Sequence, residues 1–140
     1  LADPGHLAVS YCHQHQLDVH PLPGATSIHS AVISSGFSGQ QYTFHGYLPI
    51  DKPSRIKRIQ QLESDLQHTK YTQVFMETPY RNNQVLEDLI HTLNPQTVLC
   101  VASDLFGQKQ LIKSMPVKRW KSFKIDLHKI PTVYCIGHFH

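Results

Sequence analysis

Short apolar runs alternate along the chain with segments whose apolar residues recur every three or four positions. The second kind of spacing predicts helices over residues 28–35, 53–67 and about 79–93. Runs rich in β-branched and aromatic residues predict strands over residues 42–46, 71–76, 97–102 and 132–136. Because strands and helices alternate, the pattern predicts an α/β sheet with helices on both sides.

Polar residues at the ends of these segments predict where helices begin. Asp3, followed by Pro4, predicts the start of a first helix that ends near Gln16. Residues 103–110 are predicted to form a polar turn that rises into a short helix. Trp120 is expected to anchor the basic segment over residues 109–129.

Two further helix starts carry capping residues. Thr26 or Ser27 is predicted to cap the helix over residues 28–35, which a glycine ends. Thr78 is predicted to cap the helix that follows residue 76, with Pro79 in its first turn.

The basic residues are unevenly distributed. The chain carries 13 Lys and Arg against 10 Asp and Glu, a net charge of +3, and most of the basic residues fall within 52–58 and 109–129. The first stretch is expected on the exposed side of the helix over 53–67. A localised basic surface suits nucleic acid or another polyanion, and a solvated helix face explains the same charges.

The composition fits one ordinary domain. At 140 residues with 40% apolar content, the chain can bury a core of its own, and a second complete domain would not fit. No apolar run approaches the roughly 20 residues that span a bilayer, and no signal peptide is visible. The sequence therefore predicts a cytoplasmic protein that makes no membrane contact.

Cysteine and histidine are the residues that would suggest disulfide or metal chemistry. Cys100 and Cys135 lie inside apolar runs and far from Cys12, which suits reduced, buried thiols. The 11 histidines include pairs such as His13 and His15, but no cysteine or carboxylate accompanies them at a usual ligand spacing. We therefore predict no metal site.

Small and polar residues gather at three predicted strand-to-helix junctions, residues 23–27, 76–81 and 102–104. If the strands run parallel, these junctions share the edge of the sheet at which α/β proteins bind ligands. Free N–H groups at a helix start suit a carboxylate or phosphate, and Gly24 and Ala25 let a ligand approach the main chain. Helix capping explains Thr26 and Thr78 equally well, so both interpretations stay open.

Glu77 and Arg81 lie four positions apart around a predicted helix start. A structural ion pair explains this spacing. Alternatively, Arg81 holds an anionic substrate, and Glu77 orients that substrate or a cofactor hydroxyl. Met76, beside the same turn, is either a core residue or an adaptable wall for a flat ring.

The GxGxxG, Walker A and GxSxG signatures are missing from the sequence. Four other segments stand in a recognisable order: Ala2-Asp3-Pro4-Gly5, Pro21-Leu22-Pro23-Gly24, Phe44-His45-Gly46-Tyr47-Leu48-Pro49 and Glu77-Thr78-Pro79-Tyr80-Arg81. Their order and spacing resemble the tetrapyrrole methylase superfamily of S-adenosylmethionine-dependent methyltransferases. The most similar branch is the one that methylates the ribose 2′-oxygen of ribosomal small-subunit RNA.

This resemblance implies that the chain is part of a two-domain protein. Family members hold the cofactor in a cleft between two α/β domains. Residues 1–24 look like the last helix and strand of the N-terminal domain, and residues 25–140 resemble the C-terminal α/β domain, a mixed sheet with helices on both faces. The rest of the N-terminal domain would carry a glycine-rich cofactor loop, so we expect the chain alone to bind cofactor poorly and to be inactive.

The family pattern also implies roles for individual residues. Thr26 and Ser27 would lie near S-adenosyl-L-methionine, with main-chain or hydroxyl contacts. Met76 would line the adenosine pocket, and Ala102 would contact the cofactor through its backbone. No residue is identified as a catalytic base.

The methyl acceptor stays open. Glu77 and Arg81 would position the substrate or brace the loop beside the cleft. The Arg-Glu pair of the RNA-methylating branch is Ser103-Asp104 here, which removes an anion contact and weighs against RNA, whereas the basic stretches favour it. The candidate partners are small-subunit rRNA, a tetrapyrrole small molecule and a second copy of the chain. The alternative function is a non-catalytic protein that binds or interacts without turnover.

Overall fold

A computed structural model describes residues 5–139 of the chain. Its helices are α1 (Gly5–Gln14), α2 (Ser27–Ser35), α3 (Lys52–Thr69), α4 (Asn82–Thr92) and α5 (Val117–Trp120). Its strands are β1 (Tyr42–Tyr47), β2 (Thr72–Glu77), β3 (Val98–Ser103), β4 (Leu111–Pro116) and β5 (Thr132–Gly137). Asp3 and Pro4, the predicted start of the first helix, lie outside the described residues.

All five strands form one sheet in the order β1-β2-β5-β3-β4. Strands β1 and β2 pair in parallel, whereas β5 is antiparallel to both of its neighbours, β2 and β3, and β4 is antiparallel to β3. Strands β2 and β3 therefore run in the same direction on either side of β5. We call the edge at which both end, at Glu77 and Ser103, the carboxyl edge.

Helices cover both faces of this sheet. On one face, Ile28, Ala31 and Val32 of α2 join a cluster with Cys100 and Val133 of the sheet. On the other face, the apolar residues of α3, α4 and α5 enclose the larger core. The expected α/β architecture, a mixed sheet with helices on both faces, is confirmed.

Helix α2 forms as its sequence predicts. Its buried residues are the four of the predicted stripe, Ile28, Ala31, Val32 and Ser35. The helix ends at Gly36, whose φ of 78° lies in the left-handed region that glycine adopts without steric cost.

The first basic stretch is not wholly exposed, contrary to the prediction. Arg55 of α3 is 1% exposed, and its Nε and Nη2 lie 2.8 and 2.7 Å from Oδ2 of Asp88 in α4. Its Nη1 donates to the carbonyl of Ile50 at 2.6 Å. The sequence pattern could not show this contact, because the partner carboxylate lies 33 residues away.

The predicted short helix after residue 103 is wrong, because the chain turns back there into strand β4. Asp104 and Phe106 adopt left-handed φ values of 48° and 67°, and the amide of Lys109 donates to Asp104 Oδ2 at 2.7 Å. These features close a tight turn, and β4 pairs with β3 along its whole length. Trp120 is buried as expected, and its Nε1 donates to the carbonyl of Leu99 at 3.0 Å.

The predicted cap of α4 is also wrong. The helix begins at Asn82 with Arg81 at the cap position and no capping side chain. The Arg81 amide donates to the Thr78 carbonyl at 3.0 Å, so residues 78–81 form a turn before the helix. Near the start of the described range, residues 17–26 contain no strand, although a last strand of a preceding domain was expected there.

The thiols agree with the prediction of buried, reduced cysteines for two of the three residues. Cys100 and Cys135 are free, buried and directly opposed on β3 and β5, and Cys12 is half-buried. Within residues 5–139, no helix is long and apolar enough to cross a bilayer.

Candidate functional site

Three strands bring polar residues together at the carboxyl edge. Thr132, the first residue of β5, pairs on one side with Glu77, the last residue of β2, and on the other with Ser103, the last of β3. Two of the three predicted junctions therefore meet across the start of a single central strand. The prediction of a shared edge is confirmed, although the strand between them is antiparallel.

A pocket of about 240 Å³ opens at this edge, on the face that α2 covers. Its wall contains four of the residues predicted to contact cofactor or substrate: Ser27, Met76, Glu77 and Ala102. The remaining lining residues are Tyr47, Pro79, Asp104, Leu105, Pro131, Thr132 and Val133. The four predicted residues alone lie up to 75 positions apart in the sequence, from Ser27 to Ala102.

The N-terminus of α2 reaches this pocket. The hydroxyl of Thr26 accepts a hydrogen bond from the amide of His29 at 3.1 Å, which makes Thr26 the helix cap. Its hydroxyl also lies 2.8 Å from His29 Nδ1, so that side chain is engaged within the helix. Ser27, the first helical residue, is exposed and lines the pocket. An anionic or polar group bound there would meet the positive end of the helix dipole.

A bulge in β1 brings Tyr47 to the rim of the pocket. The pairing of β1 with β2 shifts between Phe44 and Tyr47, so that Tyr47 stands opposite Met76. Gly46 has a φ of 66°, a left-handed conformation that glycine adopts readily and other residues rarely do. The phenol ring, half of whose surface is exposed, extends the apolar wall that Met76 begins.

Glu77 and Arg81 form an ion pair beside the pocket. Arg81 Nη2 donates to Glu77 Oε1, and the same oxygen accepts the amide of Thr78 at 2.6 Å. Glu77 is only 4% exposed. Its second oxygen, Oε2, and Arg81 Nη1 are buried and have no hydrogen-bond partner among the described residues.

Arg55 Nη2 is also buried without a hydrogen bond of good geometry, but it lies 2.7 Å from Asp88 Oδ2. What distinguishes the Glu77–Arg81 pair is the buried carboxylate oxygen Oε2, for which no described residue provides a partner. A buried polar atom without a partner costs roughly 1–3 kcal/mol, so proteins rarely leave one unless a ligand or water completes it. Glu77 Oε2 offers an acceptor for a ligand hydroxyl or N–H group, and Arg81 Nη1 offers a donor. The geometry thus supports both interpretations of the Glu77–Arg81 pair. The two side chains make a structural contact, and each keeps one polar atom without a partner among the described residues.

Glu77 has a buried aromatic neighbour in the core that α3, α4 and α5 cover. Tyr134 of β5 is buried, and its hydroxyl donates at 3.1 Å to the side-chain and backbone oxygens of Asn82. Burial, with a further contribution from the Glu77 carboxylate, raises the pKa of Tyr134 well above its ordinary value. The phenol is therefore a neutral hydrogen-bond donor rather than a base.

Asp104 lies on the opposite wall of the pocket, where its carboxylate is committed to the turn before β4. A methyl group at Gly107 would come within 2.2 Å of Asp104 Oδ1, so this approach requires glycine. Asp104 therefore supplies negative charge to the wall while its position is fixed.

Sequence reasoning missed the contribution of β5 to the site. Pro131, Thr132 and Val133 carry no local signal of function, because their position depends on the insertion of the last strand between β2 and β3. Tyr47 belongs to a quoted motif but was given no role. Among residues 5–139, no group of three or more His, Cys, Asp or Glu side chains is arranged to hold a metal ion.

No protein-family model matches the chain, but curated proteins do. It is 34% identical over 105 residues to the ribosomal RNA small subunit methyltransferase I of Synechocystis, covering 75% of this chain and 36% of that protein. It is 27% identical over 113 residues to the protein of the same name from Buchnera aphidicola, covering 81% and 37%. The chain therefore spans less than half the length of these relatives.

Solved structures share the fold. A cobalt precorrin-4 methyltransferase matches 96% of this chain over 58% of its own length, with a TM-score of 0.55 and 13% identity. The uroporphyrin-III C-methyltransferase of Thermus thermophilus, solved with S-adenosyl homocysteine, matches 96% over 59%, with a TM-score of 0.50 and 15% identity. The chain thus shares the fold of these two methyltransferases, and its sequence is similar to those of small-subunit rRNA methyltransferases.

Proposed function

We propose that this chain supplies one wall of the cofactor cleft of an S-adenosylmethionine-dependent methyltransferase that acts on the ribose 2′-oxygen of small-subunit rRNA. The observation that carries the proposal is the pocket at the carboxyl edge. Ser27, Met76, Glu77 and Ala102, which the family motifs assign to cofactor or substrate, line this one pocket. The names of the sequence relatives support an rRNA acceptor.

The pocket residues suit S-adenosylmethionine. Met76 and Tyr47 give a polarisable and aromatic wall for a flat ring, and Ala102 has no long side chain to hinder a ligand at the backbone. Glu77 Oε2 is an acceptor without a partner among the described residues, which a ribose hydroxyl would complete. When bound, the cofactor supplies an electrophilic methyl group on a sulfonium.

The volume of the pocket supports the proposal that the cleft has a second wall. Sites for molecules of this size usually enclose about 300–1,000 Å³, whereas this pocket has about 240 Å³. We propose that residues 25–140 form the C-terminal domain and residues 1–24 the tail of the N-terminal domain. The chain by itself then binds the cofactor weakly and transfers no methyl group.

The side chains at the edge of the pocket can position an acceptor. Arg81 Nη1 is a buried donor without a partner in the described part of the chain, and it lies next to the Glu77 carboxylate. A phosphate or other anion placed there would be held by a charge-assisted hydrogen bond. We propose that this wall of the cleft holds the acceptor oxygen in position to attack the methyl group of the cofactor.

A chimera tests the proposal. Residues 25–140 replace the corresponding region of the Synechocystis relative, and methyl transfer from tritiated S-adenosylmethionine to unmodified small ribosomal subunits is measured. We expect incorporation at an alkali-resistant position, because a 2′-O-methyl group protects the neighbouring phosphodiester. Label in alkali-sensitive positions would contradict the ribose assignment. Transfer to a precorrin panel but not to RNA would contradict the acceptor.

Calorimetry on the 140-residue chain tests the divided cleft. We expect no measurable heat at micromolar S-adenosylmethionine, whereas the chimera binds. Micromolar binding by the chain alone would show that this wall is sufficient.

A further inference from the structure

An exposed aromatic ring stands immediately beside the pocket. Tyr80 follows Pro79, which lines the pocket, and 71% of its surface is exposed. The Lys129 ammonium lies 5.8 Å from the centre of the Tyr80 ring. The His128 ring meets the same tyrosine edge-on, with centroids 6.1 Å apart. We call these three residues the aromatic platform.

The platform is held in place by hydrogen bonds that join the loop over residues 126–130 to Pro79 and to the start of α4. The Lys129 amide donates to the Pro79 carbonyl at 3.0 Å. Asn82 Nδ2 donates to the Ile130 carbonyl at 2.6 Å, and Asn83 both donates to Asp126 Oδ1 and accepts from the Leu127 amide, each at 2.7 Å. The loop over residues 126–130 is therefore fastened to the start of α4.

Lys129 adopts an unfavourable backbone conformation within this network. Its φ of 60° lies in the left-handed region, which costs a non-glycine residue free energy. The surrounding hydrogen bonds hold the backbone there, and the exposed Lys129 side chain extends over the face of the Tyr80 ring.

A basic groove continues from the platform. It has a volume of about 320 Å³, and its lining includes two lysines, Lys109 and Lys124, and one carboxylate, Asp126. The charged groups of the lining therefore sum to one positive charge, and Ile130 bounds the groove next to the platform loop. Ser103 also lines this groove. Ser103 occupies the position at which the RNA-methylating branch has arginine, so the two lysines supply positive charge where that arginine is missing.

We propose that the platform stacks an unpaired base of a single-stranded RNA segment, with the neighbouring phosphates held by Lys129 and the basic groove. The inference rests on the proposed RNA acceptor and names where that acceptor docks. An aromatic face is available to any base, and lysines spaced along a groove follow the phosphate backbone. The platform adjoins the pocket, so a neighbouring nucleotide is presented to the cleft.

Fluorescence anisotropy with the 140-residue chain and a labelled single-stranded RNA of ten nucleotides tests the platform. We expect Tyr80→Ala to weaken binding about tenfold through loss of stacking, and Tyr80→Phe to retain most of the affinity. Lys129→Gln should weaken binding and reduce the slope of log affinity against log salt by about 0.7, the value for one phosphate contact on a single strand.

Two matched controls accompany these variants. Lys70 is an exposed lysine with a φ of 64°, located at the opposite edge of the sheet just before β2, and Lys70→Gln should leave RNA affinity unchanged. Tyr11 of α1 is 57% exposed and stacked on His15, so Tyr11→Ala is the control for an exposed tyrosine beside a histidine and should leave RNA affinity unchanged. Equal losses from Lys129→Gln and Lys70→Gln would overturn the platform, since only net charge would then matter.

Other outcomes separate this proposal from the proposed function. A tenfold loss for Tyr80→Ala on single-stranded RNA, with a smaller loss on a ten-base-pair RNA duplex, supports stacking even if the chimera methylates nothing. No loss of RNA affinity in Tyr80→Ala overturns the platform even if the chimera methylates rRNA. Absence of RNA binding by the unsubstituted chain also overturns it.

Discussion

Two arginine–carboxylate pairs are buried within residues 5–139, and they differ in how completely the oxygens of the carboxylate are satisfied. In the pair between α3 and α4, Asp88 Oδ2 contacts Arg55, and Asp88 Oδ1 lies 3.4 Å from the Lys52 ammonium. In the pair at the carboxyl edge, Glu77 Oε1 receives two hydrogen bonds while Oε2 receives none from the described residues.

The difference follows from the position of each pair in the fold. The Arg55–Asp88 pair lies beneath the loop after β1 and between two helices, so neighbouring protein groups can complete it. The Glu77–Arg81 pair lies at the end of β2, next to an open pocket. The protein holds the Glu77 carboxylate in place through Oε1, whereas the buried Oε2 keeps hydrogen-bonding capacity that no described residue uses.

The largest expected effect comes from breaking the Arg55–Asp88 pair, in which both carboxylate oxygens are contacted. Asp88→Ala should lower the free energy of unfolding by about 3–5 kcal/mol, because it leaves the Arg55 guanidinium buried without its counter-charge. Urea unfolding measures this loss. Glu87→Ala, at an exposed position on the same helix, should change the free energy of unfolding by less than about 0.5 kcal/mol.

A double substitution separates charge burial from packing. Arg55→Leu with Asp88→Leu should recover most of the stability, because apolar residues of similar size can replace a buried ion pair. A loss below about 1 kcal/mol in Asp88→Ala alone would contradict the view that this pair is structural.

The sequence predicted the local structure better than the long-range contacts. The stripe of α2, the buried strands β3 and β5 and the glycine stop at Gly36 follow from spacing and residue type, which act over a few positions. The burial of Arg55 depends on Asp88, 33 residues away, and β4 depends on its register with β3. Such contacts leave no periodic signal in the chain.

The second prediction concerns the incompletely satisfied pair. In the chimera, Glu77→Gln should weaken binding of S-adenosylmethionine by about tenfold or more, because a hydrogen bond to a charged acceptor contributes about 1.5–3 kcal/mol. Its stability loss should be smaller than that of Asp88→Ala, since glutamine keeps an acceptor for the Thr78 amide and the Arg81 side chain is 21% exposed. Calorimetry and urea unfolding of the same variant measure both quantities.

Asp88→Asn is the matched control for Glu77→Gln, and it should show the opposite effects on stability and on cofactor affinity. It should lower stability while the folded fraction keeps its affinity for the cofactor. If Glu77→Gln changes stability alone and leaves cofactor affinity unchanged, the Glu77–Arg81 pair is structural like the first.

Four of the residues that line the candidate site could be predicted from the sequence. Ser27, Met76, Glu77 and Ala102 belong to strand ends and a helix start, positions that a chain pattern marks and that α/β sheets bring to one edge. The lack of a hydrogen-bond partner for Glu77 Oε2 among the described residues could not be predicted in this way, because it depends on how distant parts of the chain pack around that atom.

A third arginine contact lies between these two extremes and gives the smallest expected effect. Arg58 Nη2 lies 2.7 Å from Nδ1 of His45, whose Nε2 lies 2.7 Å from Oε1 of Gln73. This arrangement requires a neutral imidazole that accepts from Arg58 and donates to Gln73. Partial burial lowers the pKa of His45 below 6.5, the nearby Arg58 charge adds to this, and the Gln73 hydrogen bond opposes it.

The sign of the resulting pH dependence follows from proton linkage. Because the folded protein binds a proton at His45 less readily than the unfolded chain does, the stabilisation is complete above pH 6.5 and is lost as the pH falls from 6.5 through the folded pKa. His45→Gln should therefore flatten the fall in urea midpoint between pH 7.5 and 5.5. The effect stays small because solvent reaches the half-buried ring. If His45→Gln leaves the pH dependence of the urea midpoint unchanged, the contact between Arg58 and His45 does not depend on protonation. Only the Arg55 and Arg81 pairs would then remain to be compared.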